Sequence, residues 1–395
     1  MSSQSQQRGE LESALAKRQL IMLPGPTNVP DRILSAMSKP MINHRGPEFR
    51  ELLTRISQNA QYAFQTKKDV FVFSSSGTGG VEAAFQNIIS PGDKVLVPVF
   101  GLFSQRMKEI IEVCGGVPVE ITCEWGSGPT PSQVEEKIKK EKVKAVGLVY
   151  NETSTGTTVR GLKEIAKIAK DNGALIVVDA ISILAGDECP IDKWNIDICI
   201  TGSQKCLAAP PGVALVSVSE DAWNTVRRTK IGSVYFSLIN MKESLDKGET
   251  PFTPAIPVFY ALDEALCMLI EEGLGNRIRR HRICAEAFYA GLPAMGLKLF
   301  AEDAFRSNMV IAVRNPDGLD DKTFLTNLRR KYRVIISGGM GKLKGQTYRI
   351  GNMGSISPDE VITTIGCMGS ALMDAGIKAD VGAGILAARE KFTNY

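Results

Sequence analysis

At 395 residues the chain is longer than a single hydrophobic core usually grows, so two domains are expected. Its 44% hydrophobic and 23% charged content excludes disorder throughout, and 47 basic against 43 acidic residues, mixed along the chain for a net +4, leave no dense basic tract for nucleic acid. Eight cysteines without close paired spacing and only two histidines argue against a disulfide framework or a zinc site, and predict mostly buried free thiols. No apolar run is long enough to span a bilayer, and the polar start MSSQSQQRGE lacks the core of a secretory signal, which predicts a cytoplasmic protein.

In chain order, a polar tail and short helix lead into MLPGPTNVP, where Pro24, Gly25, Pro26 and Pro30 impose a shaped loop. From residue 69 the short Val-rich runs DVFVFSS, DKVLVPV, KAVGLVYN and ALIVVDA alternate with helix-like segments such as VEAAFQNII and LKEIAKIAK. Runs that are apolar on both faces predict an α/β fold with a mainly parallel central sheet covered by helices. Near residue 256 the pattern changes to IPVFYALDEALCMLIEEG and NRIRRHRICAEAFYAGL, two long helices, the second ending near Gly291. Within it, Arg277, Arg279, Arg280, His281 and Arg282 read as a solvated or inter-subunit face. The strand-like SNMVIAVR and TYRIGNM then flank the helix DKTFLTNLRRKY. A last helix follows, with Ser357 as N-cap, Pro358 in its first turn and Glu360 as capping-box partner. The expected division is a segment and active-site loop over 1–25, a large cofactor-binding domain over 26–265 and a smaller α+β domain over 266–395.

Three places carry chemistry. In SSSGTGGVEAAFQN, Gly77, Thr78 and Gly79 stand between a strand and a helix, as a glycine-rich turn or as a cradle of free N–H groups for a phosphate. The segment fits neither the dinucleotide nor the Walker A pattern. Asp179 ends a buried strand at the edge where open α/β sheets bind ligands, either as a structural partner or as the counter-charge of a protonated ring nitrogen. Lys205 lies between the apolar IDICITGSQ and the tight loop CLAAPPG, as a structural lysine or as an amine whose pKa burial depresses. Together a phosphate cradle, a ring-nitrogen partner and a Schiff-base amine are the requirements of pyridoxal 5'-phosphate.

PGPTNVP, SSSGTGGVEAAFQN, GLFSQR, NETSTG, VVDAIS, TGSQKCLAAPPG, TPFTPAIP and YRIGNMG occur in order over nearly the whole chain. This series resembles class V, fold type I aminotransferases of the alanine-glyoxylate, serine-glyoxylate and serine-pyruvate group. The resemblance implies a pyridoxal-phosphate-dependent aminotransferase in which Lys205 carries the cofactor and Asp179 partners its ring nitrogen. It implies Phe103 over the ring, Gly77, Thr78 and Gln204 at the phosphate and Thr153 near the phenolic oxygen. Thr253 would be contributed by the neighbouring subunit of a homodimer. Arg349, with backbone groups near Gly25, would take the substrate carboxylate, and His44 stands near the entrance as a binding or plain loop residue.

The same resemblance implies transfer from serine or alanine to glyoxylate or pyruvate. Aspartate or an aminophosphonate as donor, and a lyase or desulfurase using Cys206 beside the lysine, are the competing chemistries. A non-catalytic binding protein on the same fold is the competing class.

Overall fold

The computed structural model describes residues 19–393, so the expected polar tail and most of its short helix lie outside the described residues. After the short strand β1 (Leu20–Ile21), the Val-rich runs form β2 (Val70–Phe73), β3 (Lys94–Val99), β4 (Val117–Thr122) and β5 (Ala145–Val149). A small hairpin, β6 (Asn151–Glu152) with β7 (Thr157–Thr158), precedes β8 (Leu175–Asp179), β9 (Ile198–Gly202) and β10 (Ala214–Val218). These build a seven-stranded sheet in the order β2-β10-β9-β8-β5-β3-β4. Only β10 runs against the others, so the sheet is mainly parallel. Every residue of β2, β5, β8, β9 and β10 is buried, as a sheet covered on both faces requires.

Beyond the sheet lie β11 (Val310–Arg314), β12 (Val334–Ile335), β13 (Ser337–Gly338) and β14 (Thr347–Gly351), the antiparallel order being β11-β14-β13. Two cores result. Phe49, Phe85, Val97, Ile176, Ile200, Val216 and Phe259 belong to the one around the large sheet. Phe288, Leu292, Ile311, Phe324, Tyr348 and Ile365 belong to the second. β1 pairs with β12 and Met22 joins the second core, so the PGPTNVP loop is anchored from the C-terminal side before it reaches the large sheet.

The capping box of the helix Pro358–Asp374 forms as its sequence predicts: Ser357 N donates to Glu360 Oε2 at 3.0 Å and Glu360 N to Ser357 Oγ at 3.3 Å. Two readings need correction. The helix Leu274–Ala294 continues through Gly291, because that glycine admits a neighbouring helix instead of ending its own; a Cβ there would stand 2.7 Å from the Gly384 carbonyl oxygen. In the same helix Arg277 and His281 are buried and Arg280 is largely so. Glu272 accepts from Arg277 Nε and Arg280 Nε, each at 2.7 Å, while Arg277 Nη1 donates to the Cys206 carbonyl and Arg280 Nη1 to that of Gly354. One shared carboxylate and several chain carbonyls therefore turn much of the supposed solvated face inward. Cys189, Cys199, Cys206 and Cys284 are buried free thiols, and the other four are half-buried, fewer buried thiols than expected. No helix among the described residues is long and apolar enough to cross a membrane.

Candidate active site

Parallel strands end on one side of the sheet, and their carboxyl-end loops surround a cavity of about 200 Å³ lined by Gly77, Thr78, Phe103, Asp179, Gln204 and Lys205, among others. β2 leads into the SSSGTGG turn, and the helix Gly77–Gln86 begins at the cavity wall. Ser76, Gly77 and Thr78 all line that wall, where the first N–H groups of a helix lack intrahelical acceptors. Gly79 turns away: a Cβ on it would meet Ser75 Oγ at 2.9 Å, and its N–H donates to Ser76 O.

β8 delivers Asp179 to the cavity floor. Its carboxylate is 9% exposed, accepts from Ile181 N at 2.9 Å, and burial pushes its pKa up to about 6. β9 delivers Gln204 and Lys205. Burial draws the Lys205 amine down to about 8, and its Nζ donates to the Pro24 carbonyl oxygen. Gly25, at φ +88°, packs so closely that a Cβ would lie 2.7 Å from Lys205 Nζ, so only glycine fits that loop position.

The turn between β6 and β7 supplies Thr153, whose Oγ1 donates to Ser182 Oγ at 2.9 Å. Asn151 Nδ2 donates to the same oxygen at 2.8 Å. Arg349, in the middle of β14, is buried and donates from Nη1 to Thr153 O at 3.0 Å and from Nη2 to Gly338 O at 3.1 Å. No carboxylate among the described residues lies within ion-pair distance of it, and burial pulls its pKa down to about 10. A buried guanidinium that meets only chain carbonyls has capacity left for an anion.

Residues from distant parts of the sequence thus converge: Gly25, Gly77, Thr78, Phe103, Thr153, Asp179, Gln204 and Lys205 lie at or directly against the cavity, with Arg349 one hydrogen bond behind Thr153. Thr253 and His44 do not line it; Thr253 is exposed on its loop. Cys206 points away, its Sγ 3.3 Å from Met309 Sδ and 3.6 Å from the Ser182 carbonyl, with burial pushing the thiol up to about 12. Sequence reasoning did not single out Glu152, Ser182 or Arg106, although each stood inside a quoted segment. The signal for Glu152 was the polar density of NETSTG, which a single sequence does not separate from ordinary turn chemistry; Ser182 and Arg106 stood as lone polar residues near the ends of VVDAIS and GLFSQR.

The lining fits pyridoxal phosphate. Asp179 is a buried carboxylate that a cationic ring nitrogen would hold ionised. The Gln204 side-chain amide is not fixed through its oxygen, which is buried without a hydrogen-bond partner, so it is free to turn its NH2 toward an anion, and the helix start at Gly77 and Thr78 offers N–H donors at the same wall.

The aminotransferase class-V family profile matches residues 23–341. The chain is 42% identical to an uncharacterized aminotransferase of Methanocaldococcus jannaschii, over 92% of this chain and 95% of that one. It is 34% identical to a serine–glyoxylate aminotransferase of Methylorubrum extorquens, over 94% and 95%. The ureidoglycine-glyoxylate aminotransferase structure from Bacillus subtilis superposes with a TM-score of 0.91 at 32% identity, covering 96% of this chain and 99% of that one. With its sheet, cavity and lysine in place, the chain belongs to the class V aminotransferases and is a pyridoxal-phosphate-dependent enzyme of fold type I.

Proposed function

We propose that this site moves the amino group of a small amino acid, serine or alanine, to glyoxylate or pyruvate, as a cytoplasmic homodimer. The observation that carries the reading is the buried Arg349 guanidinium, which has no carboxylate ion pair among the described residues, lies one hydrogen bond behind Thr153 and is near enough to lower the Lys205 pKa. Both substrates of such a reaction carry one carboxylate, and a planar fork grips it in two places. Pro24 and Gly25 pack directly on Lys205, which restricts the space on that side and favours short side chains. Relatives named for serine–glyoxylate transfer support glyoxylate as acceptor. The inward packing of Cys206 disfavours a thiol-based desulfurase.

Bound pyridoxal phosphate supplies an exchangeable carbonyl carbon and a cationic ring able to accept an electron pair. The residues supply the rest. Lys205 Nζ would anchor the cofactor, and its amine, when free, would carry the proton from the substrate α-carbon to the cofactor's exchangeable carbon. An amine held near 8 has more neutral base near neutral pH than an ordinary lysine. Asp179 keeps the proton on the ring nitrogen. Phe103 would cover one ring face and exclude water from it, and Thr153 would orient the ring edge. Gly77 and Thr78 would hold the phosphate with N–H groups, and Gln204 with its side-chain NH2. Thr253, exposed on this chain, would contribute to the cofactor site of the neighbouring subunit. Arg349 holds the carboxylate in both directions of transfer.

Two experiments test this. Borohydride reduction and peptide mass analysis should find a pyridoxyl group on the Lys205 peptide; a label elsewhere rejects the assignment. Rapid absorbance scans with single amino acids and 2-oxo acids should show fast half-reactions for serine or alanine and for glyoxylate or pyruvate. Arg349→Lys, losing the fork, should lower kcat/KM of both half-reactions by roughly 100-fold. Fast half-reactions confined to aspartate and 2-oxoglutarate would reject the small-substrate reading.

A further inference from the structure

Glu152 is fully buried, and no basic side chain among the described residues forms an ion pair with it. Its Oε1 accepts from Phe103 N at 3.2 Å, Ser154 N at 3.2 Å and Ser154 Oγ at 2.6 Å. Its Oε2 accepts from Ser104 N at 2.8 Å and lies 3.0 Å from Ser104 Oγ. Ser154 Oγ in turn accepts from Leu102 N at 2.9 Å, and Ser104 Oγ accepts from Gly101 N at 3.0 Å. The N–H groups that open the helix Leu102–Val113 are therefore largely satisfied by the turn Asn151–Gly156, with a carboxylate at the positive end of the helix dipole.

The two elements joined this way present different parts of the site. The helix carries Phe103 and the turn carries Thr153, and the Thr153 carbonyl accepts from Arg349. Gly101 is required at the joint, because a Cβ there would overlap the Glu152 side chain.

We propose that Glu152 is a positioning residue for amino transfer, whose carboxylate sets the Phe103 ring in register with Thr153 and the Arg349 clamp. This rests on the reading that Phe103 and Thr153 face the cofactor. A carboxylate is needed because both oxygens accept from at least one N–H group. In Glu152→Gln one of those acceptors becomes an NH2 that faces other donors.

The test is a double-mutant cycle on cofactor binding, with pyridoxal phosphate titrated into cofactor-free wild type, Glu152→Gln, Phe103→Ala and the double variant. Visible circular dichroism of the bound chromophore is recorded for each, and thermal melts of the cofactor-free proteins confirm folding. Glu152→Gln should weaken binding roughly tenfold and alter the dichroism band, and it should cost little more once Phe103 is gone, as coupled neighbours do. Ser154→Ala, which keeps the carboxylate, should shift both readouts less and in the same direction, and serves if Glu152→Gln does not fold. Losses that add independently, or variants with wild-type affinity and dichroism, overturn the positioning role. Failure of the wild type to take up the cofactor would instead overturn the amino-transfer reading beneath it.

Discussion

The Asp179 carboxyl is in tension with its own fold until a cation meets it. Burial holds its pKa at about 6 against an ordinary 3.8, so it favours the folded cofactor-free protein while protonated, and that contribution is lost as the pH rises through 6. Asp179→Asn is neutral at every pH and keeps an acceptor for Ile181 N. The cofactor-free variant should therefore be more stable than cofactor-free wild type at pH 8, by about 2–3 kcal/mol, with the gap nearly gone at pH 4. Chemical denaturation across that range measures it, and equal stabilities at pH 8 would reject it. Adding pyridoxal phosphate should reverse the order, since a ring-nitrogen cation stabilises the ionised wild-type carboxylate and not the amide. Lys205 and Asp179 stood out because charged residues at the ends of apolar strands are costly without a purpose. Glu152 did not, since its donors come from a helix fifty residues earlier and only the folded chain brings them together.

At the scale of elements, the strands readable in advance were those apolar on both faces. β4 was not singled out because Val117 and Thr122 at its ends are exposed at the sheet edge, as a half-covered strand permits. β10 is as buried as its neighbours, but it follows a loop of prolines and runs antiparallel, outside the strand–helix alternation that made the others visible. The Arg277–Arg282 stretch misled for the opposite reason: charge density usually marks a solvated helix, and Glu272 in the preceding helix, which makes burial affordable, lies outside the cluster. Gly291 yields a direct prediction. Its Cβ would press on the Gly384 carbonyl oxygen at 2.7 Å and on Ile365 Cδ1 at 2.8 Å, so the helices Leu274–Ala294 and Val381–Glu390 must separate to admit a methyl. Gly291→Ala should raise helix propensity yet destabilise the protein by about 1–3 kcal/mol, because overpacking outweighs the propensity gain. A melt at or above wild type would show that the contact yields more easily than its geometry indicates.

For the whole molecule, the surface beside the TPFTP segment displays large apolar side chains. Tyr235 and Phe252 stack with ring centroids 5.2 Å apart and planes 9° from parallel, yet they are 41% and 38% exposed, and neighbouring Val234 is 72% exposed. The loop is held in shape from within its own chain: Thr250 Oγ1 donates to Phe252 O at 2.8 Å, and Arg45 donates to the carbonyls of Thr250 and Pro251 while pairing with Glu249. A loop tied by its own hydrogen bonds that displays apolar rings, with Thr253 next in sequence, is suited to docking. In the homodimer proposed above, a two-fold axis through this surface would bury the same patch on both chains and bring each Thr253 towards the other subunit's cavity. Light scattering should accordingly give twice the chain mass. Phe252→Glu should shift the equilibrium toward monomer, and its lost activity should recover as protein concentration rises. Thr253→Ala should leave the mass unchanged and weaken only cofactor binding. A wild-type monomer with full turnover at working dilution, or a Phe252→Glu protein that pairs as tightly as wild type, would separate this surface from the assembly of the active site.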